Sequence, residues 1–304
     1  TDKKNTDALA ANIRYGSYNT KDGNISIAKR LNKINSQTFY NYYSTDGFSV
    51  RPNSNNRFIT PISRTTFTQN LQYRFSDKTS IDGSLRYNTA NIKSIIAVAN
   101  NGTTIYSNGN EKNNDLNGSI VLNHRFNEKI KTKLNTYYTQ FESKQDLLTV
   151  SGNPYNDLFQ QNFKRIENQT EWKINSSLNT IAGFGWIKEQ VNSSRYDNID
   201  SAKTNTIKYA FNQWEWNNGE KWVANAGFRY DQNQNFASAF SPKLSLMYKA
   251  NTHLRFKLSI GRGFKAPDFR QLYLNFTNAA AGSYSVFGAV EAQKVINQLN
   301  QLGQ

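Results

Sequence analysis

Along much of this chain apolar and polar residues alternate with a period of two. Between 254 and 261, Leu254, Phe256, Leu258 and Ile260 point one way, and Arg255, Lys257, Ser259 and Gly261 the other. Such alternation marks a β-strand with one apolar and one polar face. Leu116, Ile120, Leu122 and Phe126 likewise alternate with Asn117, Ser119, Val121 and Arg125. Phe67, Leu71, Tyr73 and Phe75 oppose Asn70, Gln72 and Arg74, while Leu85 and Tyr87 oppose Asp82, Ser84, Arg86 and Asn88. Trp222, Ala224, Ala226, Phe228 and Tyr230 oppose Asn225, Gly227, Arg229 and Asp231. A soluble sandwich hides the apolar face inside, whereas a closed membrane barrel turns it to lipid and keeps the polar face for a wet lumen.

The pattern predicts about thirteen strands, near 9–19, 24–33, 36–45, 65–76, 79–90, 115–126, 130–141, 167–177, 180–190, 204–216, 221–232, 242–250 and 253–262. Short connections rich in Asn, Asp and Gly, such as Ser76-Asp77-Lys78 and Asn217-Asn218-Gly219-Glu220, alternate with long ones near 46–64, 91–114, 142–166, 191–203 and 263–304. Short turns at one end and long loops at the other are the asymmetry of an outer-membrane barrel. Tyr and Phe near strand ends (Tyr73, Phe75, Tyr87, Phe126, Tyr137, Tyr138, Tyr230, Tyr248) fit interfacial girdles, or simply the β-propensity of aromatics. Ile207, Tyr209 and Phe211 run out of phase with Trp214 and Trp216, which predicts a bulge near Asn212. From Val290 to Leu302 the apolar spacing of Val295, Leu299 and Leu302 predicts a short helix within the last loop. The expected fold is all-β: residues 1–304 form part of one antiparallel transmembrane β-barrel domain, with 263–304 a long extracellular loop.

Composition sharpens this. The 304 residues are only 37% hydrophobic, yet 13% are aromatic. Mean hydropathy is −0.75. Such values suit a thin apolar skin better than a large core. No stretch of about 18 apolar residues is present, so no membrane-spanning helix is expected. The chain has no Cys and two His, and neither His-Glu-x-x-His nor Gly-x-Ser-x-Gly occurs. Asp197 and Asp200 share one loop and read as solvated turn residues rather than an acid–base pair. No enzyme, metal site or cofactor is expected. The net charge of +15 is dispersed through strands and loops, which fits a basic lumen or contact with anionic lipopolysaccharide better than a nucleic-acid stripe.

One stretch carries a family resemblance. Phe240-Ser241-Pro242-Lys243-Leu244-Ser245-Leu246 leads to Gly261-Arg262-Gly263-Phe264-Lys265-Ala266-Pro267 and then Leu272-Tyr273. This resembles TonB-dependent outer-membrane receptors, in which a Gly-Arg-Gly-Phe-Arg-Ala-Pro-type motif ends in Leu-Tyr; Lys265 replaces the usual Arg. Tyr15-Gly16-Ser17-Tyr18 and Tyr42-Tyr43-Ser44-Thr45-Asp46-Gly47 are similar to early barrel strands of receptors from Bacteroidota. The resemblance implies a 22-stranded barrel, an N-terminal plug and a TonB-contacting box, so this chain is expected to be part of a longer protein.

It further implies active import of a scarce nutrient across the bacterial outer membrane. A ferric siderophore is the first expectation, haem or cobalamin the alternative, and a passive porin or adhesin the reading from another class. Implied partners are TonB through the absent N-terminal region, outer-membrane lipid and lipopolysaccharide, and a small-molecule cargo with or without a surface lipoprotein; nucleic acid is not among them. The loop at 268–304 lacks the His of haem-type members, and the loop from Asp46 to Arg64 lacks the acidic cluster of calcium-binding cobalamin receptors. His124 and His253 fall at expected short turns.

Two sets of residues are candidates for cargo. Arg74, Arg86, Arg229, Lys243, Arg255 and Lys257, with Lys131, Lys133 and Lys173, are expected on the polar face. There they either attract an anionic cargo or pair with carboxylates of a plug. Phe48, Tyr106, Tyr155, Phe159, Tyr196, Phe236 and Tyr284, with Arg51, Arg57 and Arg165, are expected in long loops, as an outer vestibule or as loop packing. Asp268 to Tyr273, after Pro267, reads as a structural corner.

Overall fold

The computed structural model describes residues 7–49, 59–100, 103–148, 154–196, 202–278 and 284–302, with backbone alone over 94–100, 103–107 and 277–278. Thirteen antiparallel strands form one sheet in strict sequence order. They are β1 (Ala8–Gly16), β2 (Thr20–Leu31), β3 (Ile34–Thr45), β4 (Ile62–Ser76), β5 (Thr79–Asn100), β6 (Thr103–Arg125) and β7 (Ile130–Leu148). There follow β8 (Pro154–Lys173), β9 (Leu178–Ser193), β10 (Lys203–Asn217), β11 (Trp222–Asn233), β12 (Ala239–Lys249) and β13 (Arg255–Gly261). β1 and β13 are the two edges and do not pair with each other. After β13 come α1 (Phe269–Tyr273), the hairpin β14 (Asn275–Asn278) and β15 (Tyr284–Phe287), and α2 (Ala289–Gln301). No helix among the described residues is long and apolar enough to cross a membrane.

The register joins the alternating patterns into two continuous faces. Tyr230, Phe228, Ala226, Ala224 and Trp222 on β11 lie opposite Phe240, Pro242, Leu244, Leu246 and Tyr248 on β12. Leu244, Leu246 and Tyr248 in turn oppose Ile260, Leu258 and Phe256 on β13. From Trp222 to Tyr230 this face spans nine residues, or about 27 Å along the strand, with an aromatic at each end. The apolar residues stay open: Leu258 is 71% and Ile260 70% exposed. In water such a face would be a severe liability; as the outer skin of a membrane barrel it is what lipid requires.

The strands nearest the long connections outrun the sequence pattern. The spans 91–114 and 142–166, expected to be loops, are largely strand: β5, β6, β7 and β8 hold 22, 23, 19 and 20 residues. The ends of β6, β7 and β8 are rich in Asn, Lys and Gln on both faces, while the end of β5 carries the unbroken apolar run Ile95 to Ala99; neither shows the alternation by which a half-buried strand is recognised. The first hairpin also differs. Its turn lies at Ser17-Tyr18-Asn19 rather than 20–23, with Tyr18 and Asn19 at φ 59° and 52°, the two left-handed residues of a type I′ turn.

The expected bulge at Asn212 is absent. β10 keeps unbroken register with β9 from Lys203 to Trp216 and with β11 from Ile207 to Asn217. Ile207, Tyr209 and Phe211 therefore lie on the polar face, and Trp214 and Trp216 on the apolar one. Space is made by glycines on β9. A Cβ on Gly185 would lie 2.5 Å from Tyr209 Cζ, and one on Gly183 would lie 2.6 Å from Phe211 Cε1. The rings fill the room that the missing side chains leave. A register irregularity occurs instead between Arg74 and Ser76.

One device recurs at the other end. Asn127, Asn175 and Asn251 each accept, through Oδ1, the backbone N–H groups two and three residues ahead, at 2.8–2.9 Å. Asn218 Oδ1 accepts instead from the N–H groups of Glu220 and Trp222, two and four residues ahead, at 3.1 and 3.0 Å. The side chain substitutes for a backbone acceptor and fixes the reversal.

Candidate functional site

The polar face is a hydrogen-bonded wall. Asp82 accepts from Gln72 Nε2 at 2.6 Å and Asn123 Nδ2 at 2.7 Å, tying β4, β5 and β6. Asp22 accepts from Asn41 at 2.8 Å and pairs with Arg14 at 3.1 Å. Tyr137 donates to Asn117 at 2.9 Å, and the Arg165 guanidinium lies 5.9 Å from the Tyr137 ring centroid. The densest group spans β8 to β11. The Tyr209 hydroxyl donates to Glu167 Oε2 at 2.6 Å, Arg229 stacks 3.8 Å above the Tyr209 ring, and Arg229 Nε and Nη2 grip Asp231. Arg229 and Asp231 neutralise each other and the Glu167 carboxylate accepts from the Tyr209 hydroxyl, so the cluster braces the wall.

Toward the long connections the segment after β13 turns back onto the polar face. Phe159, Val191 and Lys203 lie on that face by register. Phe159 packs with Val191, Tyr196, Phe269 and Tyr273 in one apolar cluster, and Lys203 Nζ sits 5.2 Å from the Tyr273 ring centroid. Tyr196 bridges to Leu274, and the Asn275 N–H donates to the Arg195 carbonyl at 2.8 Å. Arg195 pairs with Asp157 and lies 4.6 Å from the Phe276 ring centroid. Partial burial works against its charge, but Asp157, and then Tyr155, outweigh burial and hold its pKa above the ordinary guanidinium value. Burial first, then the Asp268 carboxylate, pushes the Tyr196 phenol up. α1 begins in a reciprocal capping box: Asp268 Oδ1 accepts from the Gln271 N–H at 2.8 Å, and Gln271 Oε1 accepts from the Asp268 N–H at 3.0 Å.

The predicted residues divide accordingly. Arg74, Arg86, Arg229, Lys243, Arg255 and Lys257 all fall on the polar face. Tyr155, Phe159 and Arg165, expected in a loop, lie on β8; the first two join or adjoin the apolar cluster, while Arg165 stands lower in the wall. Phe48 stacks on Tyr18 at 5.2 Å and bridges to Ile59, so it packs its own loop. Phe236 lies half-buried between β11 and β12. Tyr284 is exposed on β15, away from Phe48 and Phe236 in the chain. Arg51, Arg57, Asp197 and Asp200 lie outside the described residues, as does the Tyr106 side chain.

Of the motif, Gly261 ends β13, Arg262 through Pro267 form an extended exposed link except half-buried Ala266, and Leu272 and Tyr273 belong to α1. His253 lies in the β12–β13 turn, and His124 near a β6 end, 2.9 Å from Thr79 Oγ1. Among the described residues no group of three or more His, Cys, Asp or Glu gathers as a metal site. Arg195 was missed, as were the Glu167, Tyr209 and Asp231 partners of the expected Arg229. The one sequence signal for the Tyr209 group, the Gly183-Phe184-Gly185 alternation opposite two aromatics, is visible only once β9 is paired with β10.

An ordered ladder with one lipid-type face, one polar face and an in-turned segment at the end of long connections defines a stretch of outer-membrane barrel wall. The family model of the TonB dependent receptor-like β-barrel matches residues 2–298, and the chain belongs to that family. Barrels of this family reside in the outer membrane of Gram-negative bacteria. The siderophore receptor PirA from Pseudomonas aeruginosa superimposes with a TM-score of 0.69 at 15% identity, over 94% of this chain and 50% of that one. The FrpB iron transporter from Neisseria meningitidis (F3-3 variant) gives 0.60 at 12% identity, over 85% and 46%. In sequence, the vitamin B12 transporter BtuB of Vibrio cholerae is 28% identical over 129 residues, 41% of this chain and 20% of BtuB. The chain thus spans half or less of the proteins it resembles.

Proposed function

We propose that this wall belongs to an importer that takes a scarce nutrient, with a ferric siderophore first, across the outer membrane using energy relayed by TonB. The observation that carries the reading is the α1 segment folded onto the polar face. It places the aromatic rings of Phe159, Tyr196 and Tyr273, with Arg195 and Lys203, at the mouth of a hydrophilic wall. Aromatic and guanidinium surfaces of this kind supply binding energy to a flat or anionic cargo. A passive porin needs no such cluster. On the apolar face Lys164 and Lys188 oppose each other across β8 and β9 on the side of the long connections, where lipopolysaccharide phosphates would relieve their repulsion.

The full-length receptor, expressed in a host lacking its own siderophore receptors, tests this. Growth on ferric siderophore as sole iron source should require both the receptor and TonB. Uptake indifferent to TonB would point to a porin. TonB-dependent uptake of haem or cobalamin instead would replace the cargo and keep the mechanism.

A further inference from the structure

The apolar face is uncharged over most of its height and then abruptly basic. Across β7 to β11 no charged side chain stands on that face from the short connections up to Lys164, Lys188 and Lys208. Lys164 lies directly opposite Lys188, and Lys208 directly opposite Trp186, one row nearer the short connections. Lys164 and Lys208 are each eight residues from a tryptophan at the short-connection end, Trp172 and Trp216. That is about 27 Å along the strand, at the other border of the lipid band. Three like charges on adjacent strands repel one another, yet among the described residues none of them has a carboxylate partner. Lys164 Nζ lies 5.7 Å from the Tyr138 ring centroid. The first acid on that face of β7 is Glu142, already bonded to Lys144 and Gln160.

Beside these lysines the apolar skin has a gap. Gly83 and Gly118 are diagonal neighbours on β5 and β6, opposite Ile120 and Leu85. A Cβ on either would find nothing nearer than 3.8 Å, unlike Gly183 and Gly185, whose room is taken by rings. The gap belongs to a largely apolar cleft of about 570 Å³, walled by Leu71, Leu85, Ile120 and Trp186, that reaches Tyr138 and Lys164.

We propose that the lysines and the cleft form one site for a lipid carrying two phosphates and several acyl chains, the lipid A part of lipopolysaccharide, held as a fixed component of the receptor. The inference deepens the reading that the apolar face meets lipopolysaccharide on the long-connection side, and it rests on that reading and not on the cargo. The three cations span two strand spacings, about 10 Å, which suits two phosphates on a disaccharide better than one phosphodiester. Lysine stems lie along apolar surface and carry the ammonium groups to headgroup level, where the phosphates relieve their mutual repulsion. A chain laid in the cleft covers the backbone left bare at Gly83 and Gly118 and restores the dispersion contacts that side chains there would make. Because the ammonium groups take the place of bridging divalent ions, the lipid should stay when such ions are chelated.

Native mass spectrometry of the full-length receptor, extracted from its outer membrane in mild detergent with a divalent-ion chelator, tests this. One lipopolysaccharide per receptor should be retained. In Lys164→Gln/Lys188→Gln/Lys208→Gln retention should fall several-fold, whereas Lys144→Gln, on the same face beyond Glu142, should leave it unchanged. Gly83→Leu/Gly118→Leu fills the cleft without altering charge and should also weaken retention. On receptor stripped of lipid, diphosphorylated lipid A should bind several-fold tighter than its dephosphorylated form or phosphatidylglycerol. A wild-type receptor that retains no lipopolysaccharide would overturn both the site and the lipopolysaccharide reading. Retention indifferent to the lysine or the glycine variant, or equal binding of phosphatidylglycerol, would overturn the site alone.

Discussion

The two ends of this wall obey different rules. At the short-connection end one solution repeats: an Asn side chain closes the turn at 127, 175 and 251, aromatic residues such as Trp172, Trp216 and Trp222 mark the apolar face, and cations line the other. Among the described residues of the far end no such device repeats. Strands overrun by different lengths, and residues from β8, the β9–β10 connection and the segment after β13 meet in one cluster. The stereotyped end reverses strands cheaply, since only local hydrogen bonds are needed. The irregular end brings distant residues together, and that long-range assembly is where recognition is expected.

The contrast is broken most severely between the two ends. Leu244, between Ala226 and Ile260, lies at the middle of the apolar band. Leu244→Arg should cost about 2–4 kcal/mol at mid-bilayer, seen as a lower denaturant midpoint in liposomes. An unchanged midpoint would reverse the assignment of faces.

Next comes the interlock of β9 with β10. In Gly185→Ala the new Cβ would meet both the Tyr209 ring and, at 2.9 Å, the Ile166 carbonyl. Backbone cannot yield as a side chain can, so a loss of about 1–3 kcal/mol is expected. In the double variant Gly185→Ala/Tyr209→Ala the ring is gone and part of the loss should return. No recovery would mean that the carbonyl, not the ring, is the obstacle.

Arg195→Ala removes the Asp157 pair and the contact with Phe276. The loss, about 0.5–2 kcal/mol, should be local. Proteolysis within 263–304 should quicken while the denaturant midpoint of the whole barrel stays in place. A shift of the global midpoint would show that the in-turned segment supports the wall, and the division between the two ends would weaken.

These differences mirror what could be read from the chain. Strand order and faces were legible because Leu254 to Ile260 and Trp222 to Tyr230 alternate strictly, and alternation is the physical consequence of a two-sided sheet. The extensions of β5 to β8 were not, since neither the apolar run Ile95 to Ala99 of β5 nor the ends of β6 to β8, polar on both sides, show a period of two. Tyr209 and Phe211 misled because aromatics on a polar face break the rule, and only the glycines on a neighbouring strand explain them. The site was half legible. Tyr155, Phe159 and Tyr196 could be chosen by residue type and Tyr273 by the motif, but the pairing of Arg195 and Tyr196 with Asn275 and Leu274, nearly eighty residues on, is carried by no local pattern.

The smallest effect is expected where the wall is most regular. In Asn175→Ala the N–H groups of Ser177 and Leu178 lose their shared acceptor, but both lie in an exposed turn where water replaces it. The net loss is therefore about 0.5–1.5 kcal/mol rather than the cost of a buried orphan. The backbone bond from the Ile174 N–H to the Leu178 carbonyl, at 2.9 Å, remains to hold register. Because Asn127 and Asn251 use the same geometry, the triple alanine variant should lose close to the sum of the three single losses, these turns being far apart. Equilibrium unfolding of the three single variants and the triple measures this directly. A triple loss well beyond the sum would mean that the turns act together along the rim, and the short-connection end would then be a cooperative unit like its opposite.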